Sequence, residues 1–336
     1  MERTVLVTGG AGYIGSHTCK ALAKAGFLPV TLDNLCRGHA SAVKWGPLER
    51  GDIADTALVG RVVARHRPLA AVHFAAYAYV GESVSDPGLY YENNVTGTMK
   101  LARALLDSNV GKLVFSSTCA TYGIPKQLPI REDSPQQPVN PYGMSKLMVE
   151  RILADFGAAY GLKSVMLRYF NAAGCDRDGE IGEMHEPETH LIPLALRAAG
   201  NPARPLSVMG TDYDTPDGSA VRDYVHVEDL ARAHVRAVEH LLEGRESAAL
   251  NIGTGRGVSV FEIIAAVEAA TGRKVAWRAA PRRAGDPPRL VADPSRLKAV
   301  LGLNPAEFAD LPTIIGSAAR WHEQVSVLSA KSGAVA

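Results

Sequence analysis

The chain has 336 residues, of which 46% are hydrophobic, and its 36 basic side chains nearly cancel 35 acidic ones. That is enough apolar material for one large domain and a smaller one, and too little net charge to attract a nucleic-acid backbone or an anionic membrane through an overall field. No apolar run approaches the roughly 20 residues that span a bilayer, strand-like sequence begins almost at Met1 with no room for a signal peptide, and a cytoplasmic protein is expected. Cys19, Cys36, Cys119 and Cys175 fall singly, without zinc-type spacing, and read as reduced, buried or half-buried thiols.

The chain opens with Thr4-Val5-Leu6-Val7-Thr8, a strand, followed by a turn carrying Gly9, Gly12 and Gly15 and then by a helix. Glycines at that spacing let the chain turn tightly, approach a pyrophosphate and pack the helix on the strand, while the helix N-terminus offers amide donors to the phosphates. Asp33 closes the second aliphatic run, Val30–Leu32, near the distance expected for an acid that binds the adenosine ribose. A carboxylate there repels a 2′-phosphate, so NAD is expected rather than NADP; the competing reading of Asp33 is a turn residue before Asn34.

Further aliphatic runs follow at Ala70–Phe74, Leu113–Phe115 and Val165–Leu167, separated by helical patterns such as Thr56–Arg67 and Tyr142–Tyr160. This is the rhythm of an α/β protein, a doubly wound parallel sheet of Rossmann type. The run Leu113–Phe115 leads into Ser116-Ser117-Thr118, at the strand end where such sheets bind ligands. Tyr142 and Lys146 stand four apart, on one helix face, where an ammonium lowers the pKa of a phenol and fits it to move a hydroxyl proton. Thr118 is placed to reach the same hydroxyl, although a strand-end Thr ordinarily caps the backbone.

After Asn171 the rhythm breaks. Gly, Pro, Asp and Glu become dense through Gly174–Pro187 and Gly210–Gly218, and strand-like and helical pieces return at Ala249–Ile252 and Val260–Thr271. Residues 1–170 read as a cofactor domain and 171–325 as a smaller, partly discontinuous α/β substrate domain that hands segments back to the main sheet. Ser326–Ala336 reads as a frayed tail. His185-Glu186-Pro187-Glu188-Thr189-His190 resembles a zinc-protease helix, but its histidines are five apart and Pro187 interrupts the turn, so no metal is expected. Asp212, Asp214 and Asp217 echo a calcium loop that Pro216 spoils.

Taken together, the glycine turn, Asp33, the Phe115-Ser116-Ser117-Thr118 segment and the Tyr142/Lys146 pair resemble the extended short-chain dehydrogenases/reductases. Val80-Gly81-Glu82-Ser83, Tyr91-Glu92-Asn93-Asn94-Val95, Arg168-Tyr169-Phe170-Asn171-Ala172, Val221-Arg222-Asp223-Tyr224-Val225-His226-Val227 and Pro281-Arg282-Arg283-Ala284-Gly285-Asp286 are similar to segments of the UDP-glucose 4-epimerases, across nearly the whole chain. The resemblance implies Tyr142 as acid/base, Lys146 as its electrostatic partner and nicotinamide-ribose ligand, and Thr118 as the hydroxyl sharing the sugar's 4-oxygen. It implies a cofactor site that also includes Tyr13, Ile14, Asn34, Asp52, Ile53, Phe74, Ala75, Ala76, Asn93, Ser116 and Tyr169. For a UDP-sugar it implies Asn171, His190, Leu191, Arg222, Arg283 and Asp286, the arginines suiting phosphate oxygens.

The resemblance further implies a homodimer formed by the Tyr142 helix and a Pro87–Leu106 helix. Three positions depart from the family pattern: Ala78 replaces a cofactor-binding lysine, His190 an asparagine, and Leu290 stands where side-chain size affects sugar choice. A UDP-pentose 4-epimerase shares the mechanism. A 4,6-dehydratase needs an Asp-Glu pair after Thr118, where this chain has Cys119 and Ala120, and a non-catalytic NAD sensor has no need of Tyr142.

Overall fold

Seven parallel strands form the central sheet of the protein, described over residues 3–283 and 285–332 in a computed structural model. Six come early: β1 (Thr4–Thr8), β2 (Leu28–Asp33), β3 (Leu48–Arg50), β4 (Ala70–His73), β5 (Lys112–Thr118) and β6 (Lys163–Tyr169). The chain then lays down β7 (Asn171–Ala173), β8 (Leu206–Met209) and β9 (Val221–His226) elsewhere, before β10 (Ala248–Ile252) returns to pair with β6. The order across the sheet is β3-β2-β1-β4-β5-β6-β10. Its direction of growth reverses between β1 and β4, which opens a crevice at the carboxyl ends of the strands.

Helices cover both faces because alternate side chains of each strand point to opposite sides. Val5 and Val7 join Leu22 of α1 (Tyr13–Lys24) in one core, and Leu6 joins Val59 and Val62 of α2 (Thr56–His66) in the other. The second core also takes Leu101 and Leu105 from α5 (Thr98–Asp107) and Leu153 from α6 (Pro141–Tyr160); α3 (Val80–Ser85) and α4 (Pro87–Tyr90) precede them. Asn140 caps α6, accepting from Gly143 N, and Pro141 occupies the first turn, where its missing N–H costs nothing.

The predicted Pro87–Leu106 helix is continuous in path but not in winding. Tyr91–Gly97 forms a π-helical turn between α4 and α5, of the kind often found beside functional sites. Just after it Thr98, the first residue of α5, donates from Oγ1 to Asn94 O at 2.6 Å, while the Asn94 amide holds both backbone polar groups of Tyr77.

The smaller lobe is built round β9, which pairs antiparallel with β11 (Gly257–Ser259) and parallel with β7 and β13 (Arg289–Leu290). Beside it β8 pairs with β12 (Trp277–Ala280). Its core draws on α7 (Leu191–Gly200), α9 (Val260–Thr271) and α11 (Leu311–Ser332). Meanwhile α8 (Val227–Leu242) and α10 (Ser295–Leu301) pack their Leu230, Val238 and Leu297 into the first core beside Val5. The residues expected as a frayed tail from Ser326 continue α11 to Ser332; residues 333–336 lie outside the described part. Among the described residues no helix is long and apolar enough to cross a membrane.

Candidate active site

The glycine turn leaves no room for side chains where the backbone must approach. Gly9 has φ +72°, and a Cβ there would meet Ala75 N at 2.6 Å; one on Gly15 would lie 2.2 Å from Gly9 O. Gly12 caps α1 without a side chain, so the first amides of the helix, from Tyr13 and Ile14, remain available to an anion.

Asp33 is nearly buried and does part of its work inside the protein. Its Oδ2 accepts from Ala11 N at 3.0 Å and its Oδ1 from Leu35 N at 2.8 Å, tying the end of β2 to the glycine turn. Next to it Asn34 donates to Asp52 Oδ2 at 3.0 Å, and Ile53 is buried. Phe74, Ala75 and Ala76 follow β4, with Phe74 N donating to Thr8 O at 2.9 Å. Asn93 donates to Asn94 Oδ1 at 2.9 Å. Ala78 is exposed, and the Arg37 guanidinium lies over the flanking rings of Tyr77 and Tyr79, at 5.4 and 5.0 Å, so a cation stands near the place of the absent lysine. Cys36 on this loop is exposed, contrary to expectation, because the loop crosses the surface; the other three thiols are buried.

At the end of β5 the candidate catalytic groups converge. Lys146 is buried on α6 and donates from Nζ to Ser116 O at 2.8 Å, with Phe115 beneath it at 4.9 Å. The Ser116 hydroxyl meets the Tyr169 hydroxyl. Thr118 Oγ1 accepts from Ala120 N at 3.1 Å, so it does cap the backbone, while its own hydrogen remains to be donated.

The expectation that Lys146 lowers the Tyr142 pKa needs correction. Burial pushes the phenol up to about 12, the Thr118 hydroxyl opposing and Cys119 adding to the rise. Burial also pulls the Lys146 ammonium down to about 7, against the nearby Glu150 carboxylate. The cause is the same for both groups: charge is costly where protein atoms replace water around it, Lys146 being buried and Tyr142 half-buried.

Glu150 is the residue that the sequence reading missed. It accepts from Ser117 Oγ at 2.5 Å and from Arg168 Nη2 at 2.7 Å, and both members of the ion pair are buried. Arg168 also donates to the Tyr122 hydroxyl at 2.9 Å, which donates to Asn251 Oδ1 at 2.7 Å. Its position four residues after Lys146, on the same helix face, was the available clue.

The substrate candidates are less tightly gathered. Arg222 on β9 pairs with Asp286 at 2.8 Å, two groups that the resemblance assigns to one ligand. Arg283 is exposed, its carbonyl accepting from Asp286 N at 3.1 Å; Ala284 lies outside the described residues. Asn171 opens β7, opposite Tyr224 of β9, and Leu191 opens α7. His190, just before it, is engaged with Glu183. Asp212 pairs with Arg282 and Asp217 with Ser219 and Ser259, so these carboxylates of the calcium-like loop are already taken.

Comparison with known proteins follows the same pattern. A UDP-glucose 4-epimerase of Rhizobium meliloti is 54% identical over 323 residues, covering 96% of this chain and 98% of that protein. The crystal structure of UDP-glucose 4-epimerase from Brucella ovis in complex with NAD superposes with a TM-score of 0.92 at 53% identity, covering 95% of this chain and 98% of that one. A Stenotrophomonas maltophila UDP-glucose 4-epimerase with bound NAD and formylated UDP-arabinopyranose gives 0.94 at 38% identity, covering 97% and 100%. Residues 5–253 match the NAD dependent epimerase/dehydratase family, and the chain belongs to that family.

Proposed function

We propose that the protein interconverts UDP-glucose and UDP-galactose by transient oxidation at sugar carbon 4, with NAD retained throughout. The observation that carries this reading is the meeting of Tyr142, Lys146, Ser116 and Thr118 at the end of β5, beside the glycine turn and without a second acid/base pair. Cys119 and Ala120 occupy the positions where elimination chemistry needs carboxylates, and burial pushes the Cys119 thiol up to about 12.

The cradle fits a dinucleotide: glycines where a Cβ would clash, a helix start with free amides, and a carboxylate at the end of β2. Gly9, Gly12, Tyr13, Ile14, Gly15 and Asp33 hold its phosphates and adenosine ribose in this reading. Bound NAD supplies reversible hydride acceptance at carbon 4. Tyr142 takes the 4-hydroxyl proton and later returns it, Thr118 donates to the same oxygen, and Lys146 holds positive charge near the phenol. Arg222, Arg283 and Asp286 grip the nucleotide end, so that the oxidised sugar turns over while its diphosphate stays bound.

The test uses UDP-glucose carrying deuterium at carbon 4. The expected product is UDP-galactose with the label still on carbon 4 and no NADH accumulating in solution. Washout of the label, or product that requires continuous NAD supply, rejects the mechanism.

The same reading includes a homodimer. Met99 on α5 and Met144 and Met148 on α6 are exposed by 36–43%, an unusual apolar surface on two helices packed side by side. Sedimentation is expected to give a dimer at assay concentrations, and a stable monomer overturns that part.

A further inference from the structure

Outside the Tyr142 site, four side chains of the irregular segment between β7 and α7 converge. Glu183, His185, Glu188 and His190 each present one ligating atom, and all four atoms lie within 4.8 Å of one another. We propose that this loop is a binding site for one divalent transition-metal cation, with zinc the best match to two imidazoles and two carboxylates.

The sequence argument against a metal was an argument against a helical His-Glu-x-x-His site, and in that form it stands, because no helix is present from 174 to 190. A loop is not bound by helical spacing. Here the chain bends so that the rings of His185 and His190, five residues apart, sit 4.9 Å from centroid to centroid, and it recruits Glu183 from outside the motif.

Burial makes the site demand positive charge. The carboxylates of Glu183 and Glu188 are only 5% and 1% exposed, and among the described residues their charged neighbours within ion-pair reach are these two histidines alone. Edge contacts from Tyr13 and Tyr79 to His185, at 6.0 and 6.2 Å, close the surroundings further. Two carboxylates so placed are costly unless neutralised.

The His185 geometry favours a cation over a pure hydrogen-bond network. Its Nδ1 lies 3.2 Å from Glu183 Oε1 and 3.7 Å from Glu188 Oε1, yet it is aligned for a hydrogen bond with neither and is sealed from solvent. Those spacings bracket the roughly 3.3 Å between ligand atoms of a tetrahedron with bonds of about 2.0 Å. A neighbouring cluster supplies the contrast. Asp176, Asp178 and Glu180 also converge, but the Lys20 ammonium already sits among them at 2.8, 2.8 and 2.5 Å and leaves no vacancy for a metal.

Four protein ligands make a closed site, and closed sites are structural. The loop is pinned elsewhere by Tyr13 donating to Gly174 O at 2.5 Å, by His39 against Met184 O at 3.2 Å and by Trp321 donating to Glu183 O at 3.3 Å. A cation at its centre therefore braces the connection from the glycine turn to the start of α7 at Leu191.

The test reads metal binding directly and so stands apart from the epimerase assay. Full-length protein stripped by a chelator is titrated with Co²⁺ and with Zn²⁺. One equivalent of each is expected, with the intense visible absorption of four-coordinate cobalt, displacement of cobalt by zinc, and a higher thermal midpoint on zinc addition. Glu183→Gln and, as a milder second variant, His185→Gln should each weaken binding at least about 100-fold, the upper end of what even an outer-sphere loss costs. Asp178→Asn in the neighbouring cluster should leave it unchanged. Absence of stoichiometric binding by the parent protein, or parental affinity in both ligand variants, overturns the proposal.

Discussion

The Lys146 ammonium donates to the carbonyl oxygen of Ser116 at 2.8 Å, so helix α6 is fastened by a charged side chain to the strand that ends in Thr118. Thr118 lies two residues beyond Ser116, on the same face of β5. The backbone bond thus sets where the positive charge sits relative to the hydroxyl and phenol beside it.

Replacing Tyr142 by Phe keeps the ring that packs edge-on to Tyr90 at 6.5 Å and removes only the hydroxyl. Folding and NAD content should be retained, while turnover falls at least about 100-fold, the scale of a lost general acid/base. Steady-state kinetics with NAD content measured in parallel checks this, and near-normal turnover removes Tyr142 from the chemistry.

Lys146→Met separates charge from packing. Turnover should fall, because the side chain that fastens α6 to the Ser116 carbonyl at 2.8 Å, beside the phenol, is lost. Stability should change with the opposite sense. Lysine titrates near 10.4 when unfolded, and burial brings Lys146 down to about 7, so between these values the unfolded chain binds more protons and wild-type stability rises with pH. The Met variant of cofactor-free protein should therefore gain most over wild type below about pH 7, by on the order of a few kcal/mol, with the gap closing towards pH 10. Denaturant titrations across that range test it; a gap independent of pH contradicts it.

The buried pair Glu150–Arg168 should be costly to break and cheaper to replace whole. Glu150→Gln leaves Arg168 uncompensated and should lose about 3–5 kcal/mol, as should Arg168→Met, whereas the double variant should lose less than the sum. Chemical denaturation of the four proteins gives the coupling. Strict additivity means that the two residues act independently, despite the 2.7 Å contact.

Two glycines with opposite surroundings test the reading of the cofactor turn. Gly15→Ala drives a methyl to 2.2 Å from Gly9 O, so NAD binding should weaken strongly, with loss of stability as the turn is pried open. Gly60, inside α2, has nothing within 4 Å of its added Cβ, and Gly60→Ala should stabilise the protein by about 0.5–1 kcal/mol. Thermal midpoints and NAD titrations of both variants check the pair.

Much of the site was legible because its elements are local. A glycine turn between strand and helix, a Tyr and Lys four residues apart, and a hydroxyl run at a strand end each depend on neighbours in sequence. The π-helical turn at Tyr91–Gly97 was not legible, since its winding is stabilised by Asn94 reaching Tyr77 and by Ser145 on another helix. The pKa of Tyr142 was misjudged for a related reason: spacing gives proximity, but burial depends on everything packed above the helix.

By itself the sequence determined the parallel sheet, the succession of its early strands and helices along the chain, and a set of candidate proton-handling groups, because hydrophobic period and turn chemistry act over a few residues. Tertiary structure decided the rest. It returned β10 to the edge of the first sheet 79 residues after β6 ended, measured from Tyr169 to Ala248, and joined Arg168 to Glu150 from separate elements. It also drew Glu183, His185, Glu188 and His190 into one cluster that their linear spacing argued against. The first two contacts are made across elements, and their free energy comes from burial and charge compensation that only the assembled core supplies, while the loop cluster depends on a chain path that no regular period describes.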